Sequence, residues 1–140
     1  MNRYFTTKST VIATALCAVG TAFAAIDDPV HLDTGMISGT TNSTADVREF
    51  KGVPYAAPPV GDLRWQPPHA LAHWPQTRSA AKFGNTCPQQ QRGVFAAPSN
   101  TEDCLYLNVF APHAAAVAAT KRPVMAWFYG GGLFSGESND

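Results

Sequence analysis

The sequence predicts a strand-rich fold in which short antiparallel strands lead into a more deeply buried one. Three observations predict it. Residues 30–33 and 36–39 alternate apolar and polar side chains, the period of half-buried strands. Residues 104–110 are rich in β-forming side chains. Residues 122–128 run almost continuously apolar, as a strand covered on both faces does, and then stop at Gly130-Gly131-Gly132.

Taken in order, each element has a local reason. Residues 30–33 and 36–39 read as a hairpin, with Gly35 as the turn between them. Residues 46–51 set Val47 and Phe50 among polar neighbours and read as a strand that Gly52 stops. From residue 54 to 75 the chain is crowded by Pro54, Pro58, Pro59, Pro67, Pro68 and Pro75, which block helix interiors and sheet ladders alike. Leu63, Trp65, Leu71 and Trp74 are interleaved there, so the segment reads as ordered but irregular, pinned to a core by its tryptophans. A polyproline ligand segment is the weaker reading, because a linker seldom carries such large apolar groups. Residues 88–100 are polar around a small apolar patch at 94–97 and read as an exposed loop. Residues 114–119 favour helix but are too few to hold one alone, so a loop or single turn is expected.

Of the 140 residues, 45% are hydrophobic and 14% charged, so a disordered chain is excluded. The formal net charge is zero and no basic stripe exists, which removes support for nucleic-acid binding.

The first residues read as an export signal. Arg3 and Lys8 precede an apolar run at 11–20, and Ala22-Phe23-Ala24 supplies the small-x-small pattern for cleavage after Ala24. The run is shorter than the ~20 residues of a membrane span. Lipid attachment at Cys17 is disfavoured by Leu16 directly before it. Cleavage leaves Cys87 and Cys104, an even count that favours a disulfide in an exported protein over two separate buried thiols. Closing that loop would contribute on the order of 3 kcal/mol by restricting the unfolded chain. Zinc has no support, since no close Cys/His pair offers ligand spacing.

The run Trp127-Phe128-Tyr129-Gly130-Gly131-Gly132-Leu133-Phe134 carries the chemistry. Three glycines after an apolar strand let the backbone turn with N–H groups unshielded by any Cβ. Such donors can face a developing negative charge, which an oxyanion hole requires. A tight turn with no further role is the plainer alternative. A phosphate cradle is weaker, because no Gly-Lys-Ser/Thr follows.

Four runs in order resemble the N-terminal part of the type-B carboxylesterase family, which includes cholinesterases and lipase-like members. They are Phe50-Lys51-Gly52-Val53-Pro54-Tyr55-Ala56, Pro58-Pro59-Val60-Gly61-Asp62-Leu63-Arg64-Trp65, Thr101-Glu102-Asp103-Cys104-Leu105-Tyr106-Leu107-Asn108-Val109, and Trp127 to Leu133. The resemblance implies an α/β-hydrolase fold, of which this chain holds the N-terminal portion, and a serine ester hydrolase with no metal or cofactor. It implies that Gly131 and Gly132 line the oxyanion hole and that Gly130 shapes the turn. It also implies that Cys87 and Cys104 form a disulfide and that Arg64 and Glu102 form a structural ion pair. Asp103 would help order the same loop without a chemical role.

Departures from the family pattern are informative. Tyr129 stands where many members carry histidine, and Leu133 where phenylalanine is usual. Phe95 is the only aromatic in the expected disulfide loop, which argues against a cation–π site for choline esters.

The expected catalytic order is Ser, then Asp or Glu, then His. Ser135 and Ser138 lack the flanks of a G-x-S-x-G elbow. His31, His69, His73 and His113 all precede any such serine. The expected domain plan is therefore a signal peptide at 1–24 and, at 25–140, part of an esterase domain that ends before its nucleophile. The substrate class expected of the full-length form is a small carboxylic ester. The alternatives are a non-catalytic binding or adhesion member of the same fold, an inactive remnant, or a small independent β-rich secreted domain.

Overall fold

The computed structural model describes residues 28–90, 97–113, 123–132 and 134–138. The expected signal at 1–24, the helical turn at 114–119, Phe95 and Leu133 lie outside the described residues.

Two small sheets carry the described fold. In the first, β1 (Val30–Leu32) pairs antiparallel with β2 (Gly35–Ser38). In the second, β3 (Thr40–Thr41) lies antiparallel to β4 (Val47–Pro54). A short strand β5 (Arg78–Ser79), which the periodicity did not reveal, completes the first sheet by running parallel to β2. The opposite edge of β4 takes β6 (Tyr106–Pro112), antiparallel. Between β4 and β5 the proline-rich chain forms only one 3-10 turn, Gly61–Leu63.

Several expected boundaries move, each for a physical reason. Gly35 is not the turn of the first hairpin; it is the first residue of β2, facing Leu32. A Cβ there would sit 2.5 Å from the Trp74 indole nitrogen, so glycine is required by close approach. Gly52 does not stop β4. The register slips by one residue between Phe50 and Val53, and Gly52, at φ 63°, lies within that bulge. Its N–H donates to Asn108 Oδ1 at 2.9 Å, so the bulge leaves that donor satisfied. The strand expected at 104–110 begins at Tyr106 and runs through Pro112, opposite Val47.

The core is small. Ile37, Phe50, Val53 and Ala80 are buried together, with Val30, Leu32 and Trp74 packed against them. Trp74 anchors the proline-rich segment as expected. Its Nε1–H donates to the Met36 carbonyl at 2.9 Å, and its backbone N–H to the Thr34 carbonyl at 2.9 Å. Trp65 does not share that role. It sits at φ 61° with its side chain fully exposed among the described residues. Asp28 links the two sheets, accepting from the Ser38 hydroxyl and the Gly39 N–H and pairing with Arg48 at 2.9 Å. Burial alone would raise its carboxyl pKa, but the Gly39, Arg48 and Ser38 contacts together hold it below the ordinary value.

The expectation of a strand at 122–128 is corrected. Residues 123–128 have no ladder partner among the described residues, and Val124, Met125, Trp127 and Phe128 are 85–94% exposed. A strand exists only as half of a pairing, and no described strand lies beside this run. Trp74→Ala should lower stability by about 3 kcal/mol, whereas Trp65→Ala should change it by less than about 0.5 kcal/mol. Urea unfolding midpoints of the two variants check this.

Candidate active site

The glycine run closes into a tight loop. Tyr129 and Gly136 meet at its base, so close that a Cβ on Gly136 would lie 2.4 Å from the tyrosine ring. At its tip the Gly131 carbonyl accepts from the N–H groups of Phe134 (3.1 Å) and Ser135 (3.4 Å). Gly131 has φ 132°, and a Cβ there would fall 1.5 Å from the Ser135 carbonyl oxygen. Gly132 has φ 60°, the left-handed region, and a Cβ there would meet the Phe134 ring at an ordinary contact distance of 3.8 Å. Gly130 has neither a crowded Cβ position nor a positive φ. The N–H groups of Gly131 and Gly132 donate to none of the described residues, and both residues are exposed. The turn thus presents two adjacent bare donors, an arrangement suited to an anion.

Behind this turn lies the loop closed by Cys87 and Cys104, which are disulfide-bonded with their Cα atoms 5.0 Å apart. Gln89 and Ser99 exchange backbone hydrogen bonds at 2.9 and 3.0 Å and so hold that loop as a short ladder. Glu137 accepts from the Thr86 hydroxyl at 2.5 Å and from the Ala97 N–H at 3.4 Å. Thr86, Cys104, Tyr106, Tyr129, Gly136 and Glu137 surround a cavity of about 30 Å³ between the two loops, room for one water. Tyr106 donates its hydroxyl to Asp103 at 2.9 Å. Burial raises the Tyr106 phenol above its ordinary value, and the bond to the Asp103 carboxylate and its charge add to the rise. Asp103 therefore orders this loop from its own side chain.

Arg64 and Glu102 face each other in a bidentate pair, Nε to Oε1 and Nη2 to Oε2, both at 2.6 Å. The pair ties the proline-rich segment to the chain just before Cys104. The two parallel bonds fix the relative orientation of two planar groups. Its side chains remain 56% and 32% exposed, so its role is geometric and its energy modest.

None of the described serines and histidines forms a catalytic couple. Ser138 contacts Asn108, and neither Ser135 nor Ser138 bonds to His31, His69, His73 or His113 among the described residues. No group of three metal-ligating side chains occurs among the described residues. No described helix is long and apolar enough to cross a membrane. The residues that sequence reasoning missed are Gln89, Asn108 and Glu137, which join the glycine loop to its surroundings. Asn108 stood inside a matched motif, but nothing in the local sequence of Gln89 signalled its contact.

Antiparallel strands at the N-terminus, a disulfide-closed loop and a glycine turn behind an apolar run together define the entry region of an α/β-hydrolase fold. The family model described as the Carboxylesterase family matches residues 27–140, and the chain belongs to that family. It is 43% identical over 120 residues to the fumonisin B1 esterase of Sphingopyxis macrogoltabida, covering 82% of this chain and 21% of that protein. It is 36% identical over 110 residues to the para-nitrobenzyl esterase of Bacillus subtilis (strain 168), covering 76% and 22%. Among solved structures a PNB esterase aligns with a TM-score of 0.66 at 37% identity, over 77% of this chain and 21% of that one. The chain thus spans about a fifth of the length of these relatives.

The Arg64 hydrogen bond, more than its charge, holds the Glu102 carboxyl below its ordinary value of 4.5. The coupling is therefore complete above that value and is lost as pH falls through the lower folded value, while Arg64 stays charged. A double-mutant cycle with Arg64→Gln and Glu102→Gln should show coupling at neutral pH that vanishes in acid.

Proposed function

We propose that this chain is the N-terminal portion of an exported carboxylic ester hydrolase acting through an acyl-enzyme. One observation carries the reading: the N–H groups of Gly131 and Gly132, adjacent, exposed and unpaired with any described residue. They are the two donors that stabilise the tetrahedral oxyanion, at ~3 kcal/mol each. Gly130 leads the chain into the turn. Residues 1–24 serve as the export signal, cut after Ala24, and residues 25–140 belong to one esterase domain whose nucleophile elbow follows. The Cys87–Cys104 disulfide supports an oxidising compartment.

In the complete enzyme a downstream serine attacks the ester carbonyl while a histidine takes the serine proton. The histidine returns that proton to the departing alcohol, and water then releases the acid from the acyl-enzyme. The substrate is a small carboxylic ester, as the names of the related esterases support. No metal or cofactor takes part in this scheme.

The test is the intact mass of the native exported protein, with peptide sequencing past Asp140 and assay on p-nitrophenyl acetate. A protein carrying G-x-S-x-G that hydrolyses the ester supports the reading. A product without that serine and without hydrolysis overturns it in favour of a binding member or a remnant. In the active protein, Gly131→Ala should lower kcat by about 10²–10³-fold, because no Cβ fits the turn. Gly132→Ala should be less damaging, since only its positive φ opposes a side chain. Gly130→Ala should be the mildest of the three. Steady-state kinetics of the series checks this order.

A further inference from the structure

Two side-chain amides hold the outgoing limb of the glycine loop. Gln89 Oε1 accepts from the Gly136 N–H at 2.7 Å, while Gln89 Nε2 donates to the Ala97 carbonyl at 3.0 Å. Asn108 Oδ1 accepts from the Gly52 N–H in the β4 bulge, and Asn108 Nδ2 donates to Ser138 at its carbonyl (3.0 Å) and hydroxyl (3.1 Å). Each amide has its oxygen on an N–H and its NH₂ on a carbonyl. Turning either by 180° would oppose like partners at both ends, so each network specifies one orientation. The two residues approach the limb from different supports. Gln89 stands on the Gln89–Ser99 ladder inside the disulfide loop, and Asn108 stands on β6.

We propose that Gln89 and Asn108 are positioning residues that set the glycine turn relative to the sheet, and through it the direction of the Gly131 and Gly132 N–H groups. The proposal rests on the oxyanion reading of those two glycines. The link is short. Gly136 packs against the Tyr129 ring and the Gly130 carbonyl, and the Ser135 N–H bonds back to the Gly131 carbonyl. Fixing Gly136 therefore fixes both ends of the turn. Among the described residues the turn is exposed at 130–132, and the contacts that hold it there are these directional bonds. Donors for a transition-state charge act only when held in place beforehand, and a displacement of about 1 Å is enough to cost on the order of 10²-fold in rate.

Gln89→Met keeps the length of the side chain and removes both polar contacts; Gln89→Glu keeps the acceptor for Gly136. Asn108→Asp keeps the acceptor for the Gly52 bulge and removes the donors to Ser138. Hydrogen exchange of the native protein carrying this chain, read by mass on the peptide spanning residues 129–138, reports on the clamp whether or not the protein is active. Gln89→Met should raise exchange there by roughly tenfold, with β2 and β4 peptides unchanged, and Gln89→Glu should restore most of the protection. Asn108→Asp should loosen the same peptide without loosening β4. In the active protein, kcat on p-nitrophenyl acetate should fall about tenfold or more for Gln89→Met and for Asn108→Asp at unchanged KM. Wild-type exchange in Gln89→Met and Asn108→Asp overturns the clamp. A loosened turn with unchanged kcat overturns its catalytic role. A native protein that hydrolyses no ester while these variants loosen the turn overturns the esterase reading and leaves the clamp supported.

Discussion

The bulge in β4 organises the described structure. By placing one extra residue opposite β6, it lets Phe50 and Val53 both face the core although they are three positions apart. A regular strand of period two would send one of them to the other face. Glycine makes this possible twice over at position 52, through a φ of 63° and through the 2.6 Å that would separate a Cβ from the Lys82 carbonyl. The N–H left over by the bulge is taken by Asn108, whose other end reaches Ser138. A backbone irregularity in the N-terminal sheet is thereby connected to the loop that bears the candidate oxyanion donors.

Around that connection the molecule uses directional and covalent ties where apolar burial is scarce. Its buried cluster is four residues, and no large side chain among the described residues is completely buried. The disulfide, the bidentate Arg64–Glu102 pair and the Asp28 contacts each join segments distant in sequence. Such ties fix geometry well and add stability modestly, apart from the disulfide, which restricts the unfolded chain. The fumonisin B1 esterase and PNB esterase matched here are about five times as long as the span they share with this chain, and among the described residues the run at 123–128 and parts of β6 expose apolar side chains.

Much of this was legible in the sequence, and for identifiable reasons. The hairpin of β1 and β2 and the strands β4 and β6 follow from alternation and β-forming side chains, which are local properties. The four motif runs carried the family, since their residue types recur in a set order. The closeness of Cys87 to Cys104 and of Arg64 to Glu102 followed from that resemblance and appears in the structure as direct bonds.

What the sequence alone determined was composition, strand-forming character and the order of the motifs, because these depend on residue type and near neighbours. Tertiary structure alone decided the rest. It made Gly35 and Gly52 strand residues and not punctuation, because the Trp74 ring and the Lys82 carbonyl arrive from distant segments. It separated Trp74, which finds a carbonyl and a core, from Trp65, which finds neither. It left the apolar run at 123–128 without a ladder, because a strand needs a partner that no amount of apolar character supplies. It also placed Gln89 and Asn108 on the glycine loop, since a hydrogen bond across 47 or 30 residues depends on the path of the chain and leaves no mark on the sequence nearby.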